Sequence, residues 1–184
     1  MPEKNILLNS AAKAGLVLGA VSILSVLLTW LLDKIGAGST GALMAVGVVN
    51  TLLWAAKLAG CILLMRFFMR RFSAADPEAD NSRVFRFGMV TALLSALVYS
   101  AFYMAYLMFI EPEAIDMALD IIRENPMMDS NSIAAAEQIA PMLPTYAFFI
   151  NLFYCFIYGT ILSAILSRNI PPRNPFAGEG FNRQ

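Results

Sequence analysis

Four long runs of apolar residues alternate with short polar stretches along the chain, and arginines gather where the runs end. A helix needs about twenty residues to cross a hydrocarbon layer roughly 30 Å thick. Residues 14–32, 41–65, 87–110 and 146–166 meet that length, so the pattern predicts four membrane-spanning helices. The stretch "DKIGAGST" (Asp33–Thr40) joins the first two, and its glycines read as a helix stop. "AGS" at Ala37–Ser39 is a poor cleavage site and three more spans follow, so the first run reads as a retained helix. A longer hydrophilic segment, 111–145, separates the third and fourth spans. Within it, "EPEAIDMALDIIREN" places Glu113, Asp116, Asp120 and Glu124 on one helical face and Ile115, Leu119 and Ile122 opposite. A second short helix is expected over 133–140, after capping candidates at Asp129–Ser132 and ending at Pro141. The expected fold over residues 1–170 is one all-α domain. It is a polytopic four-helix transmembrane bundle with a short, helical, acidic extracytoplasmic cap between helices 3 and 4. Residues 171–184 read as a flexible tail.

Small residues recur at helical spacing inside the runs: Ala11, Gly15 and Gly19; Gly88, Ala92, Ala96 and Ser100; Cys155, Gly159, Ser163 and Ser167. Lipid tails are as apolar as leucine, so helices in a bilayer associate where such residues let backbones approach. Polar residues form stripes beside these ladders. Lys57 is the one formal charge inside the four runs and stands some 13 Å along the helix from Arg66, at about 1.5 Å per residue. Asn50, Trp54, Lys57 and Cys61 share its face. Two readings stand: Lys57 lines the bundle or meets a lipid phosphate, or it snorkels to the cytoplasmic headgroups. Tyr99, Tyr103 and Tyr106 continue one face of the third span, with Tyr106 also suited to the interfacial belt. Asn151, Tyr154 and Tyr158 stripe the fourth. The candidate lipid-contacting or polar-path residues are thus Lys57, Asn50, Trp54, Tyr99, Tyr103, Asn151, Tyr154 and Tyr158.

Formal net charge is zero, but the signs are segregated. Arg66, Arg70, Arg71, Arg83 and Arg86 bracket a basic loop, "RFFMRRFSAADPEADNSRVFR", and with Lys4, Lys13 and the arginines of the tail they fall on one side of the expected bundle. Only Lys34 and Arg123 fall on the other. By the positive-inside rule the N- and C-termini are cytoplasmic, and those five arginines are topology anchors. The chain is 59% hydrophobic, 14% charged and without histidine, so the commonest general base and zinc ligand are absent. Its two cysteines lie in different runs at different apparent depths, so no disulfide is expected, and two cysteines alone make no metal site. No cofactor, metal or nucleic-acid partner is expected, and the chain reads as a non-enzyme. An enzyme acting on lipid would have to rely on the acids of the outer segment, such as Glu111, Glu113 and Asp116, with nothing to show that they converge.

Three segments carry a family resemblance: "VFRFGMVTAL" (Val84–Leu93), "MFIEPEAID" (Met108–Asp116) and "GTILSAILSRNIPPRNPF" (Gly159–Phe176). In order and layout the chain resembles a bacterial family of four-span integral membrane proteins classed as a domain of unknown function. The resemblance implies no catalytic residues. It implies the bacterial inner membrane as location and, by association, a polyprenyl-phosphate glycosyltransferase as partner. The expected role is a non-catalytic membrane subunit, anchor or lipid-binding partner of another protein, or a homo-oligomer, contacting anionic or polyprenyl-phosphate headgroups. The alternative is a small oligomeric transporter or channel whose polar path is lined by Lys57, Asn50, Asn151 and the tyrosines. All thirteen acids fall outside the four runs, which weighs against ion-coupled transport.

Overall fold

A computed structural model of the chain describes residues 2–36, 40–76 and 79–170, and these are helical nearly throughout. The elements are α1 (Pro2–Gly36), α2 (Thr40–Ala75), α3 (Asn81–Ala105) continued by a π-turn (Tyr106–Ile110), α4 (Glu113–Glu124), α5 (Ser130–Ile139), a 3₁₀ turn (Ala140–Met142) and α6 (Leu143–Arg168). Four stretches, Ile6–Ile35, Met44–Ala75, Asn81–Ile110 and Ser130–Arg168, are long and apolar enough to cross a membrane. The chain is a multi-pass, all-helical membrane protein.

The helices outrun the apolar blocks. Hydrogen bonding along a helix does not stop where lipid stops, and "RFFMRRFSAA" contains no breaker before Pro77. The basic loop is therefore mostly not a loop: Arg66, Arg70 and Arg71 lie on α2, and Arg83 and Arg86 on the first turns of α3. The connection shrinks to Asp76–Asp80. Arg83 pairs with Asp76 across it at 3.1 Å. Asp80, rather than a residue of Asn81–Arg83, caps α3 by accepting from the Arg83 backbone N–H at 2.7 Å. The first connection shrinks likewise, since α1 runs through Gly36 and α2 starts at Thr40. Residues 37–39 of that expected turn, and the expected tail 171–184, lie outside the described residues.

The acidic cap forms as two helices. Asp129 caps α5 by accepting from the Ser132 N–H at 2.9 Å, and Pro141 does not end the chain's helical course but sits in the 3₁₀ turn that leads into α6. Arg123 of α4 reaches Asp120 at 3.0 Å and Glu137 of α5 at 2.7 Å, which ties the two cap helices together. The acids of α4 face outward, and Leu119 is buried beneath.

Helix α3 is the spine. It packs against α6 on one flank and α1 on the other, while α2 leans on α1 and meets α3 and α6 over a shorter length. The small-residue ladders make these approaches possible. A Cβ added to Gly15 would stand 2.8 Å from Leu94 Cβ, and one on Gly19 2.9 Å from Val98 Cγ1. On the other flank, Gly159 lies against Ala92, and Gly88 lies against Ser163 so closely that a Cβ there would overlap the hydroxyl. Ser163 Oγ donates across the seam to the Phe85 carbonyl at 3.0 Å. The core gathers at the end of the bundle nearest the arginines: Met65, Met69 and Phe72 of α2 fill against Val84 and Phe87 of α3 and Leu166 of α6. The Phe72 and Phe87 rings stack with centroids 4.4 Å apart. Toward the acidic cap that filling stops.

Gly88→Ala is expected to destabilise the protein by about 1–3 kcal/mol, the usual cost of overpacking, read as a lower thermal midpoint in detergent. Gly47→Ala, with nothing within 4 Å of the new methyl, is expected to be neutral or slightly stabilising through helix propensity. The cap has its own pH dependence. Hydrogen bonds from Ser132 hold the Asp129 carboxyl below its ordinary value, so its stabilisation of α5 is complete above the usual carboxylate range. That stabilisation is lost as pH falls through the lowered value. Amide protection factors in α5, which are corrected for the intrinsic exchange rate, should therefore fall on acidification, and Asp129→Ala should abolish that pH dependence.

Candidate functional site

The inward face of α2 runs through Asn50, Trp54, Lys57, Cys61, Met65 and Met69 at spacings of four, three, four, four and four. Its lower part is core; its upper part borders space. One cavity, of about 170 Å³, lies where α2 draws away from α3 and α6. Leu18, Leu58, Met65, Ala92 and Leu162 give it apolar walls, and Lys57, Tyr99 and Tyr158 supply polar groups. Trp54 and Tyr154 line it too while remaining largely exposed on the outer surface. It therefore opens sideways, between α2 and α6, toward the surroundings of the bundle. Cys61 and Cys155 are free thiols that line this same cavity, so the different depths expected for them are corrected by the way α2 and α6 lie side by side.

A second cavity, of about 310 Å³, adjoins it toward the acidic cap. Lys57 and Trp54 line both. The upper one adds Asn50, Tyr103 and Tyr106 and, from outside the expected set, Trp30, Asp33 and Glu111. Asn50 Nδ2 donates to Asp33 Oδ1 at 3.0 Å. The Tyr106 hydroxyl donates to the Glu111 carboxylate, and Tyr106 is buried rather than placed in an interfacial belt. The rings of Tyr99, Tyr103 and Tyr106 follow one another at 6.1 and 5.9 Å.

Lys57 faces inward. Its ammonium lies 4.8 Å from the centroid of the Tyr99 ring, and among the described residues no carboxylate lies within ion-pairing distance of it. Geometry explains the direction. Every Cα–Cβ bond in a helix tilts toward the helix N-terminus, so the Cβ of Lys57 is directed away from Arg66, and the neighbouring Tyr99 ring then meets its ammonium. Magnitudes show that the charge is under-compensated. A lysine at the centre of a span costs about 2.5–3.5 kcal/mol on insertion scales, and a cation–π contact returns about 0.5–2 kcal/mol.

Seven of the eight expected site residues line one cavity or the other. Asn151 lines neither, because its amide turns back to donate to the Ala147 carbonyl of its own helix at 2.8 Å. That Asp33 and Glu111 share a cavity with Lys57 is not legible in the sequence, for different reasons. The sequence pattern places Asp33 in a turn, whereas α1 carries it one turn further on the same face as Gly15 and Gly19. The polar continuation Ser22, Ser25, Thr29 and Asp33, at spacings of three, four and four, was the available signal. Glu111 is five residues after Tyr106, about 140° around an α-helix. The π-turn over Tyr106–Ile110, closed by the Glu111 N–H on the Tyr106 carbonyl at 2.9 Å, rotates it back toward the same side.

The model of the family described as "Protein of unknown function (DUF4199)" matches residues 13–168. The chain belongs to the DUF4199 family. The match spans α1 through α6 and includes both cavities, and of the three segments that carried the resemblance it omits only the part beyond Arg168. No curated protein and no solved structure matches the chain. Among the described residues of this DUF4199 chain no cluster of three or more metal-ligating side chains stands together.

Because Lys57 has no ionic partner among the described residues, Lys57→Met should keep the fold and stabilise it by on the order of 1 kcal/mol, the difference between insertion cost and cation–π gain. A thermal midpoint a few degrees above wild type in detergent is expected. A large drop would show that Lys57 is a structural residue.

Proposed function

We propose that the protein holds a phosphate-bearing lipid in the sideways-opening cavity, with the Lys57 ammonium on the phosphate and the first part of the chain along Leu58, Met65 and Leu162. The observation that carries this reading is an inward-facing cation, the one among the described residues that lines this cavity, at the end of an apolar cavity whose lining includes the outwardly exposed Trp54 and Tyr154. An anion at Lys57 supplies the charge compensation that Tyr99 alone does not. The role is non-catalytic. With no histidine in the chain, the phosphate meets a binding cation but no general base of the usual kind. The protein acts as a membrane subunit, anchor or lipid-presenting partner. The polyprenyl-phosphate glycosyltransferase implied by the resemblance is the protein partner to look for first, ahead of a second copy of the chain.

The location that goes with this reading is the bacterial inner membrane, with both termini and the arginine-rich end in the cytoplasm and the α4–α5 cap outside. Support comes from the exposure of Arg66, Arg70, Arg71 and Arg86 at one end and the acidic helix faces at the other. A second reading, a small oligomeric transporter, is favoured by one observation, that Asp33 and Glu111 share a cavity with Lys57. Unchanged solute flux in liposomes between wild type and Lys57→Leu would remove it.

Native mass spectrometry of the detergent-purified protein is expected to show a retained phospholipid or polyprenyl phosphate in wild type and its loss in Lys57→Leu. Retention unaffected by the substitution would overturn the lipid reading. Co-purification from native membranes tests the protein partner, and recovery of the chain alone under several mild detergents would count against one.

A further inference from the structure

The upper cavity is polarised along the bundle axis. At its lower end, where the two cavities join, is the Lys57 ammonium. The wall beside Asp33 adds a donor, the Trp30 indole N–H, whose nitrogen is enclosed and has no partner among the described residues, while Lys34 lies 6.0 Å over that ring. At its upper end are acceptors: Asp33, Glu111 and the side-chain oxygen of Asn50, which is likewise enclosed without a partner. The identity of that Asn50 atom follows from chemistry. A carboxylate only accepts hydrogen bonds, so the amide nitrogen must face Asp33 at 3.0 Å, and the oxygen is left over. Enclosed polar atoms without partners are rare enough in folded proteins that each calls for an explanation. Here one donor and one acceptor, both at the wall of one cavity, lack partners together.

The opposite charges also stand apart. Asn50, which holds Asp33, is about 10 Å along the axis from Lys57, whose ammonium stands at the Tyr99 ring. Among the described residues no ion pair bridges the space between Lys57 and these carboxylates. A protein that needed only to neutralise Lys57 internally would close that gap. We propose that the gap accepts a zwitterionic phosphoamine headgroup, its phosphate on Lys57 and Trp30 and its primary ammonium on Asp33, Glu111 and Asn50, as in an aminophospholipid. The two-carbon bridge of an ethanolamine headgroup suits the separation. The aromatic walls of Tyr103 and Tyr106 favour the cation further. A headgroup in this position directs its chains downward into the apolar cavity. The assignment rests on the lipid reading above and names its headgroup class.

The test uses the protein's own fluorescence, because Trp30 and Trp54 are the only two tryptophans and both line this cavity. Wild-type protein in detergent is titrated with phosphatidylethanolamine, phosphatidylglycerol and phosphatidylcholine of matched short acyl chains, and with soluble O-phosphoethanolamine, reading the emission change. Phosphatidylethanolamine is expected to bind at least tenfold more tightly than phosphatidylglycerol. Asp33→Asn combined with Glu111→Gln should erase that preference while leaving phosphatidylglycerol bound as well or better. Displacement by O-phosphoethanolamine at concentrations comparable to the lipid supports the same chemistry with a free zwitterion as the source. Displacement only by the lipid supports the lipid. Wild type that binds phosphatidylglycerol as tightly as phosphatidylethanolamine overturns the headgroup assignment and leaves the lipid reading standing, and this comparison needs no variant to fold. Phosphatidylcholine, which offers no N–H, binding as tightly as phosphatidylethanolamine overturns it too. If Lys57→Leu changes the affinity of none of these lipids, the lipid reading itself fails.

Discussion

The approach of Gly88 to Ser163 is the contact on which the rest of the bundle depends. Lipid gives apolar helices no reason to prefer each other, so close backbone approach and interhelical hydrogen bonds must hold them. At this seam both operate: the absent Cβ of Gly88 admits Ser163, and the serine hydroxyl, brought that close, donates to the Phe85 carbonyl of α3. Gly159 against Ala92 repeats the approach one turn and more along the seam. Gly15 and Gly19 do the same for α1 on the other flank. Helix α3 is consequently clasped on two sides, and among the described residues α2 shows no comparable ladder: a methyl at Gly47 or Gly60 would meet nothing within 4 Å.

That difference accounts for the hollow half of the molecule. Without a ladder to bring it in, α2 meets α3 and α6 through bulky Met65, Met69 and Phe72, which fill the arginine-rich end. Above them α2 stands off, and the space it leaves becomes the two cavities that Lys57 joins. Lysine is an expensive residue at this depth, and neither the Tyr99 ring nor any carboxylate among the described residues fully compensates it. Stability sacrificed at one position beside a cavity is what the proposed lipid site would require.

Parts of this were legible in the chain and parts were not. The four spans, the small-residue ladders and the amphipathic cap helix could be read because each is a local repeat, of apolar length or of helical period, that needs no knowledge of a partner. The stripe Asn50, Trp54, Lys57 and Cys61 could be read for the same reason. Where the Asn151 amide turns could not be read, because periodicity places a residue on a face but not its hydrogen bond, here to the Ala147 carbonyl. The basic loop was overdrawn because hydropathy marks the edge of lipid, whereas a helix ends at a breaker or a cap, here Asp76–Asp80.

By itself the amino-acid sequence determined how many helices cross, which residues approach closely and where the charge lies. It did so because membrane thickness and the helical repeat act on neighbours along the chain. Only the tertiary structure decided which way Lys57 points and what faces it. Asp33, from the end of α1, and Glu111, turned inward by the π-turn after α3, come opposite Lys57 through the relative placement of three helices. That placement depends on α2 standing away from its neighbours, a balance of packing between distant segments that no single stretch of residues encodes.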